Sequence, residues 1–142
     1  MLKPVQLGGS GLHVSRLCLG TMNFGVPGQG HQGDWTLGID ASREIFRAAI
    51  ENGLFYFDCA DFYGTGACEE VVGSLLREML PRDEYVLTTK VAMPMGSNAN
   101  MSGLSRKHII EGMDRSLQRL GVDYVDQLII HRHPHGIPWH VA

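Results

Sequence analysis

The chain has 142 residues, of which 44% are hydrophobic and 19% are charged, and its formal net charge is −3 at pH 7. This is the composition of a single globular domain, and the slight negative charge excludes a general attraction to nucleic acid or to an anionic membrane surface. No apolar stretch spans a bilayer, the N-terminus lacks the apolar core of a signal peptide, and the cysteines form no CxxC pair, so we expect a cytoplasmic protein with reduced thiols.

The first third of the chain predicts a hairpin, one strand and a long loop. Gly8, Gly9, Ser10 and Gly11 supply the turn of a short β-hairpin over residues 4–14. Residues 17–20 predict a first buried strand. The segment that follows, residues 21–39, is rich in glycine, and a loop of this length in a compact domain is typically functional or mobile.

Helices and strands alternate over the rest of the chain. Helical spacing of apolar residues predicts helices that begin near residues 40, 67 and 105, and strands are predicted at 54–58, 85–90 and 124–131. Gly53, Pro81 and Gly121 mark the three helix ends. This alternation predicts one α/β domain over residues 1–142, with a parallel sheet and right-handed crossovers.

Two of the helices carry specific expectations about caps and buried faces. Asp40 or Ser42 is expected to cap the first helix, and Ser105 the third. The predicted buried face of the first helix consists of Ile45, Phe46, Ala49 and Ile50. The predicted buried face of the third helix consists of Ile109, Met113, Leu117 and Leu120.

Three consecutive predicted strands end in an ionisable residue, namely Asp58, Lys90 and His131. An ionisable residue at the end of a buried strand does not stabilise the strand, so its presence there indicates that the ends of several strands come together at one site. In a parallel α/β barrel they do meet, because the carboxyl ends of all strands face one rim. Tyr63 lies five residues beyond Asp58, in a short loop closed by glycines. The pattern therefore predicts an active site of four side chains.

These residue types suit the reduction of a carbonyl group. A phenol keeps its proton up to about pH 10, so a tyrosine that acts as an acid needs a neighbouring cation, here Lys90. Asp58 can hold the ammonium by a charge-assisted hydrogen bond, and His131 can donate to a carbonyl oxygen. No side chain supplies hydride, which would come from a nicotinamide.

Five segments of the chain resemble the aldo-keto reductases, in the branch related to aryl-alcohol dehydrogenases and potassium-channel β subunits. The resemblance runs from about residue 5 to residue 132. The segments are LGTM at 19–22, FDCADFYG at 57–64, TTK at 88–90, SLQRLGVDYVD at 116–126 and IIHR at 129–132.

The resemblance implies a TIM-type (β/α) barrel that binds NADPH without a Rossmann fold and reduces an aldehyde or ketone to an alcohol. Tyr63 would be the proton donor, Asp58 and Lys90 would tune it, and His131 would orient the substrate carbonyl. The resemblance also places a cofactor-binding segment against the nicotinamide, consisting of Gly20, Thr21 and Met22 together with Asp58.

A complete barrel of this type needs roughly 200 or more residues, whereas the predicted elements amount to four barrel strands and three helices. We therefore expect the N-terminal half of an aldo-keto reductase barrel, truncated before the half that holds most of the cofactor. Bare sheet edges favour self-association or a complementing second-half chain. A non-catalytic remnant or a regulatory or assembly subunit is the alternative.

Three other interpretations of single features stay open. Lys90 at a strand end could form a Schiff base with a carbonyl substrate. The glycine-rich loop could cradle phosphate, but it lacks the GxGxxG placement, and a mobile loop over the barrel mouth is favoured, with Trp35 contacting substrate or packing at the surface. A metal-dependent hydrolase would use three of the four histidines near the end of the chain, namely His131, His133 and His135.

Overall fold

The computed structural model describes residues 3–133, which contain six strands and three α-helices. The strands are β1 (Val5–Gln6), β2 (His13–Val14), β3 (Leu19–Gly20), β4 (Tyr56–Asp58), β5 (Val86–Val91) and β6 (Gln127–Ile130). The helices are α1 (Ile39–Glu51), α2 (Ala67–Met79) and α3 (Arg106–Leu120). No helix in this part of the chain is both long and apolar enough to cross a membrane.

A four-stranded parallel sheet organises the fold. Its strand order is β3-β4-β5-β6, which is also the order of these strands along the chain. The register pairs Asp58 with Thr88 and Lys90 with Ile129. Because all four strands run the same way, their carboxyl ends lie on one edge, as the sequence predicts. The predicted hairpin is confirmed as β1 and β2, which pair antiparallel.

The core lies between one face of this sheet and the helices. Phe57 of β4 and Leu87 of β5 are fully buried there, and the ring of Phe46 on α1 stacks on Phe57 at 5.3 Å between centroids. Each fully buried large apolar side chain stabilises the fold by roughly 1.5–3 kcal/mol. The helices also contribute Leu75, Leu76 and Leu120 to this core. The packing fixes the sheet, and with it the edge where the ionisable residues stand.

The expected caps are confirmed for α3 and wrong for α1. Ser105 Oγ accepts a hydrogen bond from the His108 N–H at 3.1 Å. The N-cap of α1 is Gly38, without a side-chain cap. Ser42 lies inside α1, where its hydroxyl donates to the Gly38 carbonyl at 2.8 Å. A hydroxyl that bonds back to the preceding turn competes with capping, and Asp40 also lies inside α1, in its first turn.

The buried face of α3 is rotated by one residue from the predicted one. Its buried residues are His108, Gly112, Ser116 and Leu120, whereas the predicted Ile109, Met113 and Leu117 are half-buried. Small residues on this face allow close approach of the neighbouring elements. A Cβ on Gly112 would lie 3.0 Å from Val91 of β5, and a Cβ on Gly73 of α2 would overlap the Leu120 carbonyl.

The first predicted strand and part of the first predicted helix face are more exposed than expected. Instead of a buried strand over residues 17–20, β3 has two residues at an edge of the sheet, and Leu17 is 56% exposed. A strand at an edge has a neighbour on one side only, which accounts for this exposure. On α1, Phe46 is buried as predicted, but Ile45 points to the surface.

The glycine-rich loop between β3 and α1 packs against the turn that follows β4. Phe24 is buried and forms an isolated bridge with Leu37, which ties the two ends of the loop together. Gln29 Nε2 donates to the Gly64 carbonyl at 3.1 Å. The loop thereby covers one side of the segment that carries Tyr63.

Candidate active site

Four side chains meet at the carboxyl edge of the parallel sheet. Asp58 is the last residue of β4, Lys90 lies one residue before the end of β5, and His131 directly follows β6. Tyr63 begins a short 3-10 turn, Tyr63–Gly66, between β4 and α2. The structure therefore brings together all four residues that the sequence singles out.

The ammonium of Lys90 is the centre of this group. Its Nζ donates to Asp58 Oδ2 at 2.7 Å, to the Cys59 carbonyl at 2.8 Å and to the Tyr63 hydroxyl at 3.2 Å. A lysine ammonium has three donors, so each has an acceptor. Burial disfavours the charged amine, but the hydrogen bonds that it donates to Asp58 and Tyr63 outweigh this cost and raise the pKa of Lys90. Lys90 is therefore a cation held against the phenol oxygen.

A left-handed turn fixes the phenol. Gly64, Thr65 and Gly66 all have positive φ angles, of 58°, 52° and 98°. Thr65 is not glycine, and a left-handed residue with a Cβ costs roughly 1–2 kcal/mol. A Cβ on Gly30 would overlap Thr65, so the glycine-rich loop and this turn are in close contact. The contact over-determines the turn and holds Tyr63 near Lys90.

The imidazole of His131 lies edge-on to Tyr63. Their ring centroids are 5.6 Å apart and the planes are at 85°. His131 Nδ1 is buried and has no hydrogen-bond partner among residues 3–133. Burial, with the nearby Lys90 ammonium, lowers the pKa of His131, so the ring is neutral at pH 7. A neutral imidazole has one N–H donor and one acceptor nitrogen, so the ring of His131 can serve as a hydrogen-bond donor.

A cavity of about 310 Å³ opens in front of Tyr63 and His131, and aromatic and sulfur-containing side chains form much of its wall. His31 of the glycine-rich loop stacks on Phe62 at 4.6 Å between ring centroids. Trp35 also lines this cavity and is half-exposed. No sequence pattern points to His31, because its position depends on the path of an irregular loop. Phe62 could have been found from its place beside Tyr63.

The four residues expected to bind the cofactor differ in how far they are exposed to solvent. Asp58 carries its carboxylate on the rim beside Lys90. Gly20 is open, with no atom within 4 Å of where a Cβ would stand, and Met22 is 48% exposed. Thr21 is fully buried, and its hydroxyl donates to the Asp58 carbonyl at 2.9 Å. Thr21 therefore joins β3 to β4, while Gly20 and Met22 lie at the surface.

Two alternative interpretations find no support in this geometry. Among residues 3–133, no three His, Cys, Asp or Glu side chains are placed to hold a metal ion, and His135 lies outside the described residues. A Schiff base requires an uncharged lysine amine, whereas the pKa of Lys90 is raised and its amine is fully engaged.

Helices on one face of a parallel sheet, with a polar cluster at the carboxyl ends of the strands, define a protein of the (β/α) barrel class. The chain belongs to the aldo/keto reductase family, whose pattern it matches over residues 16–138.

Similar proteins include a putative voltage-gated potassium channel subunit beta of Schizosaccharomyces pombe, which is 40% identical over 135 residues. A putative aryl-alcohol dehydrogenase of Saccharomyces cerevisiae is 34% identical over 159 residues. These matches cover 93% and 97% of this chain, but the chain spans only 37% and 45% of those two relatives.

A solved structure of an aldo-keto reductase from Bacillus halodurans, in its holo form, superposes on this chain with a TM-score of 0.71 and 32% identity. The match covers 90% of this chain and 39% of that protein. The expected fold class is confirmed: the parallel strands and helices match part of the TIM-type barrel of an aldo-keto reductase, and a short hairpin precedes them.

Proposed function

We propose that this chain carries the proton-donating side of an NADPH-dependent carbonyl reduction, in which an aldehyde or ketone becomes an alcohol. The observation that carries the proposal is the contact of the Lys90 ammonium with both the Tyr63 hydroxyl and the Asp58 carboxylate, at 3.2 and 2.7 Å. A cation at this distance stabilises the phenolate that forms when Tyr63 gives up its proton.

Each of the four residues has a role in this proposal. Tyr63 Oη donates the proton to the carbonyl oxygen, and Lys90 stabilises the charge left on the phenol. Asp58 holds the Lys90 ammonium in place and keeps it charged. His131, as a neutral ring, donates a hydrogen bond that orients the same carbonyl oxygen. The substrate oxygen would therefore bind between the phenol and the imidazole.

The proposed cofactor is NADPH, which would supply hydride to the carbonyl carbon. Gly20 and Met22 provide the open surface beside Asp58 on which a nicotinamide ring would rest. Thr21 supports that surface from behind through its bond to the Asp58 carbonyl. These residues fit a planar ring because no side chain projects from Gly20.

The proposed substrate is a planar aromatic carbonyl compound. The cavity next to Tyr63 has aromatic side chains, Trp35 and Phe62, and two methionines, Met22 and Met93, in its wall. Aromatic and thioether groups favour contact with flat apolar rings. Its volume of about 310 Å³ is at the small end of ligand pockets. The similarity to a putative aryl-alcohol dehydrogenase agrees with this choice.

The proposed macromolecular partner is the remainder of a barrel, in a second copy or in a complementing chain. Leu128 and Ile130 of β6 are 40% and 44% exposed, and among residues 3–133 β6 has a sheet neighbour on one side only. Exposed apolar residues on a strand at the edge of a sheet favour association. Sedimentation of the chain at micromolar concentration should therefore give a mass above that of the monomer.

The test of the function compares the wild-type chain with Tyr63→Phe. We expect the wild type to consume NADPH in the presence of benzaldehyde, and Tyr63→Phe to lose at least about 100-fold in turnover, as for loss of a general acid. NADPH fluorescence on binding should be nearly unchanged, since the phenyl ring keeps its packing. Equal turnover in the two proteins would contradict the mechanism. Binding of NADPH without turnover by the folded wild type would favour a regulatory role instead.

A further inference from the structure

Two buried thiols lie in van der Waals contact directly behind the proposed site. Cys59 Sγ and Cys68 Sγ are 3.4 Å apart, and both residues are fully buried. Neither has a part in the proton transfer proposed above. Cys18, the third cysteine, is exposed and is not in this pair.

The pair brackets the segment that carries Tyr63. Cys59 directly follows Asp58 at the end of β4, and Cys68 lies in the first turn of α2, so the phenol stands between them in the chain. The Cys59 carbonyl accepts one of the three hydrogen bonds of the Lys90 ammonium, at 2.8 Å. A covalent link between the two sulfurs would therefore close a loop that contains Tyr63. It would also displace the Cys59 carbonyl, which accepts a hydrogen bond from Lys90.

We propose that Cys59 and Cys68 are a reversible oxidation site, at which a peroxide converts the two thiols into a disulfide that staples the segment between β4 and α2. The sulfurs have to approach by about 1.4 Å, from 3.4 Å to the length of a disulfide bond. The inference rests on the thiol geometry alone and does not depend on the reaction proposed for Tyr63.

The chemistry balances with hydrogen peroxide as the oxidant. One thiolate attacks a peroxide oxygen, the O–O bond breaks, and hydroxide leaves with a proton as water, giving a sulfenic acid. The second thiol attacks that sulfur, the S–O bond breaks, and a second water leaves as the disulfide forms. In sum, two thiols are oxidised to one disulfide while one peroxide is reduced to two waters.

Burial controls when this happens. Burial, together with the neighbouring Cys68 thiol, raises the pKa of Cys59 well above its usual value, so the closed structure holds little thiolate there. Cys68 is covered by Thr21, whose carbonyl accepts from its Sγ at 3.1 Å. Peroxide therefore reaches the pair only when the segment opens, and oxidation reports that opening.

Mapping of the oxidised thiols tests the site. The folded chain is treated with hydrogen peroxide, free thiols are blocked with N-ethylmaleimide, and the protein is digested with trypsin. Cys59 and Cys68 fall in one tryptic peptide, residues 48–77, because no Lys or Arg lies between Arg47 and Arg77. We expect this peptide to lose two hydrogens, to take up no maleimide and to regain both thiols with dithiothreitol.

The outcome in the variants decides the proposal. Cys18→Ser should form the same internal disulfide, whereas Cys68→Ser should leave Cys59 without one. Three outcomes would overturn the proposal. The first is a disulfide to Cys18 in the folded wild type, and the second is irreversible oxidation to sulfinic acid. The third is that both thiols of the folded chain stay free under oxidising conditions that form the disulfide in the urea-unfolded chain.

Amide hydrogen exchange gives a second measurement that a buried but unreactive pair would not affect. A disulfide between residues 59 and 68 limits opening of the segment between them, so exchange of the amides of residues 60–67 should slow by about tenfold on oxidation. Dithiothreitol should reverse the change. The Cys68→Ser chain, treated with peroxide in the same way, should show no such change, and equal exchange in the oxidised and reduced wild type would overturn the proposal.

Discussion

The Glu69 carboxylate on α2 is fully buried, and Arg119 on α3 holds it by an ion pair of 2.7 Å between Arg119 Nε and Glu69 Oε2. The other carboxylate oxygen accepts a 2.5 Å hydrogen bond from Thr89 of β5. This one side chain therefore links two helices and the sheet. Its position just after the turn that carries Tyr63 makes the ion pair part of the support for that turn.

Arg119→Met should strongly destabilise the protein. It leaves the Glu69 charge buried with no cation, and breaking such a pair costs about 3–5 kcal/mol. The cost should fall towards the lower figure because Arg119 is 18% exposed. Urea unfolding followed by circular dichroism measures the loss.

The matched control for this variant is Arg47→Met, which removes an exposed pair with Glu44 on α1. An exposed pair contributes about 0–1 kcal/mol. A loss of similar size in the two variants would show that burial of Glu69 does not set the strength of its ion pair.

The buried carboxyl group of Asp61 should make the protein less stable as the pH rises through neutrality. Both its carboxylate oxygens are buried, and no side chain among residues 3–133 donates a hydrogen bond to them. Burial, aided by repulsion from Glu69, raises the pKa of Asp61 to about 7, although the Phe62 backbone N–H and the charges of Arg119 and Arg115 act in the opposite direction. The folded protein therefore keeps a proton that the unfolded chain loses near pH 4. This contribution to stability is fully present below pH 4 and is lost as pH rises through 7.

Asp61→Asn should remove that slope, because the amide is neutral at every pH and has nearly the same shape. The measurement is the free energy of unfolding between pH 5 and pH 8, compared between wild type and variant. The comparison is needed because the lowered pKa values of His108 and His131 give a slope of opposite sign in this range. The exposed Asp114→Asn serves as the control. Parallel curves for wild type and Asp61→Asn would contradict the prediction.

Gly73→Ala should destabilise the contact between α2 and α3. An added Cβ would overlap the backbone carbonyl of Leu120, which cannot turn away as a flexible side chain could. Alanine raises helix propensity by about 1 kcal/mol, but overpacking against backbone costs about 3 kcal/mol, so a net loss is expected. Thermal unfolding measures it. Gly9→Ala, where an added Cβ meets nothing within 4 Å, should change stability little, and equal effects would be evidence against close helix packing.

The sequence predicted the order and direction of the elements because the signals for these are local. Gly53 and Gly121 end helices with φ angles of 82° and 65°, and each is followed by a strand of the parallel sheet. The apolar pattern of α3 predicts a buried face that is shifted by one residue from the one in the structure. Its contact with α2 depends on how closely Gly73 lets Leu120 approach, and an apolar pattern does not contain that information.

The side chains of the candidate site at the strand ends could be predicted from the sequence, whereas its backbone and loop contacts could not. Asp58, Lys90 and His131 could be grouped because parallel strands bring their carboxyl ends to one edge. The third acceptor of Lys90 is a backbone carbonyl, that of Cys59, and no residue type predicts it. The stacking of His31 on Phe62 joins two irregular loops, whose paths follow from tertiary packing rather than from periodicity.

Asp58→Asn should lower the pKa of Lys90. Burial disfavours the charged amine, and the hydrogen bond and charge of Asp58 are the main opposing contributions. With an amide at position 58, burial dominates and the amine loses its proton at lower pH than in the wild type. An NMR pH titration of the Lys90 side chain, assigned with Lys90→Arg, measures this shift.

The same substitution should reduce stability at pH 7 by about 1–2 kcal/mol, since it removes the carboxylate of a mostly buried ion pair. The sign of the pH dependence follows from the raised pKa of Lys90. In the wild type this stabilisation is fully present below the ordinary lysine pKa and is lost as pH rises through the raised value. Glu111→Gln, which removes exposed pairs with Lys107 and Arg115, is the matched control and should cost much less stability than Asp58→Asn. An unchanged Lys90 titration in Asp58→Asn would show that another group holds the ammonium charged, and the role proposed for Asp58 would then be wrong.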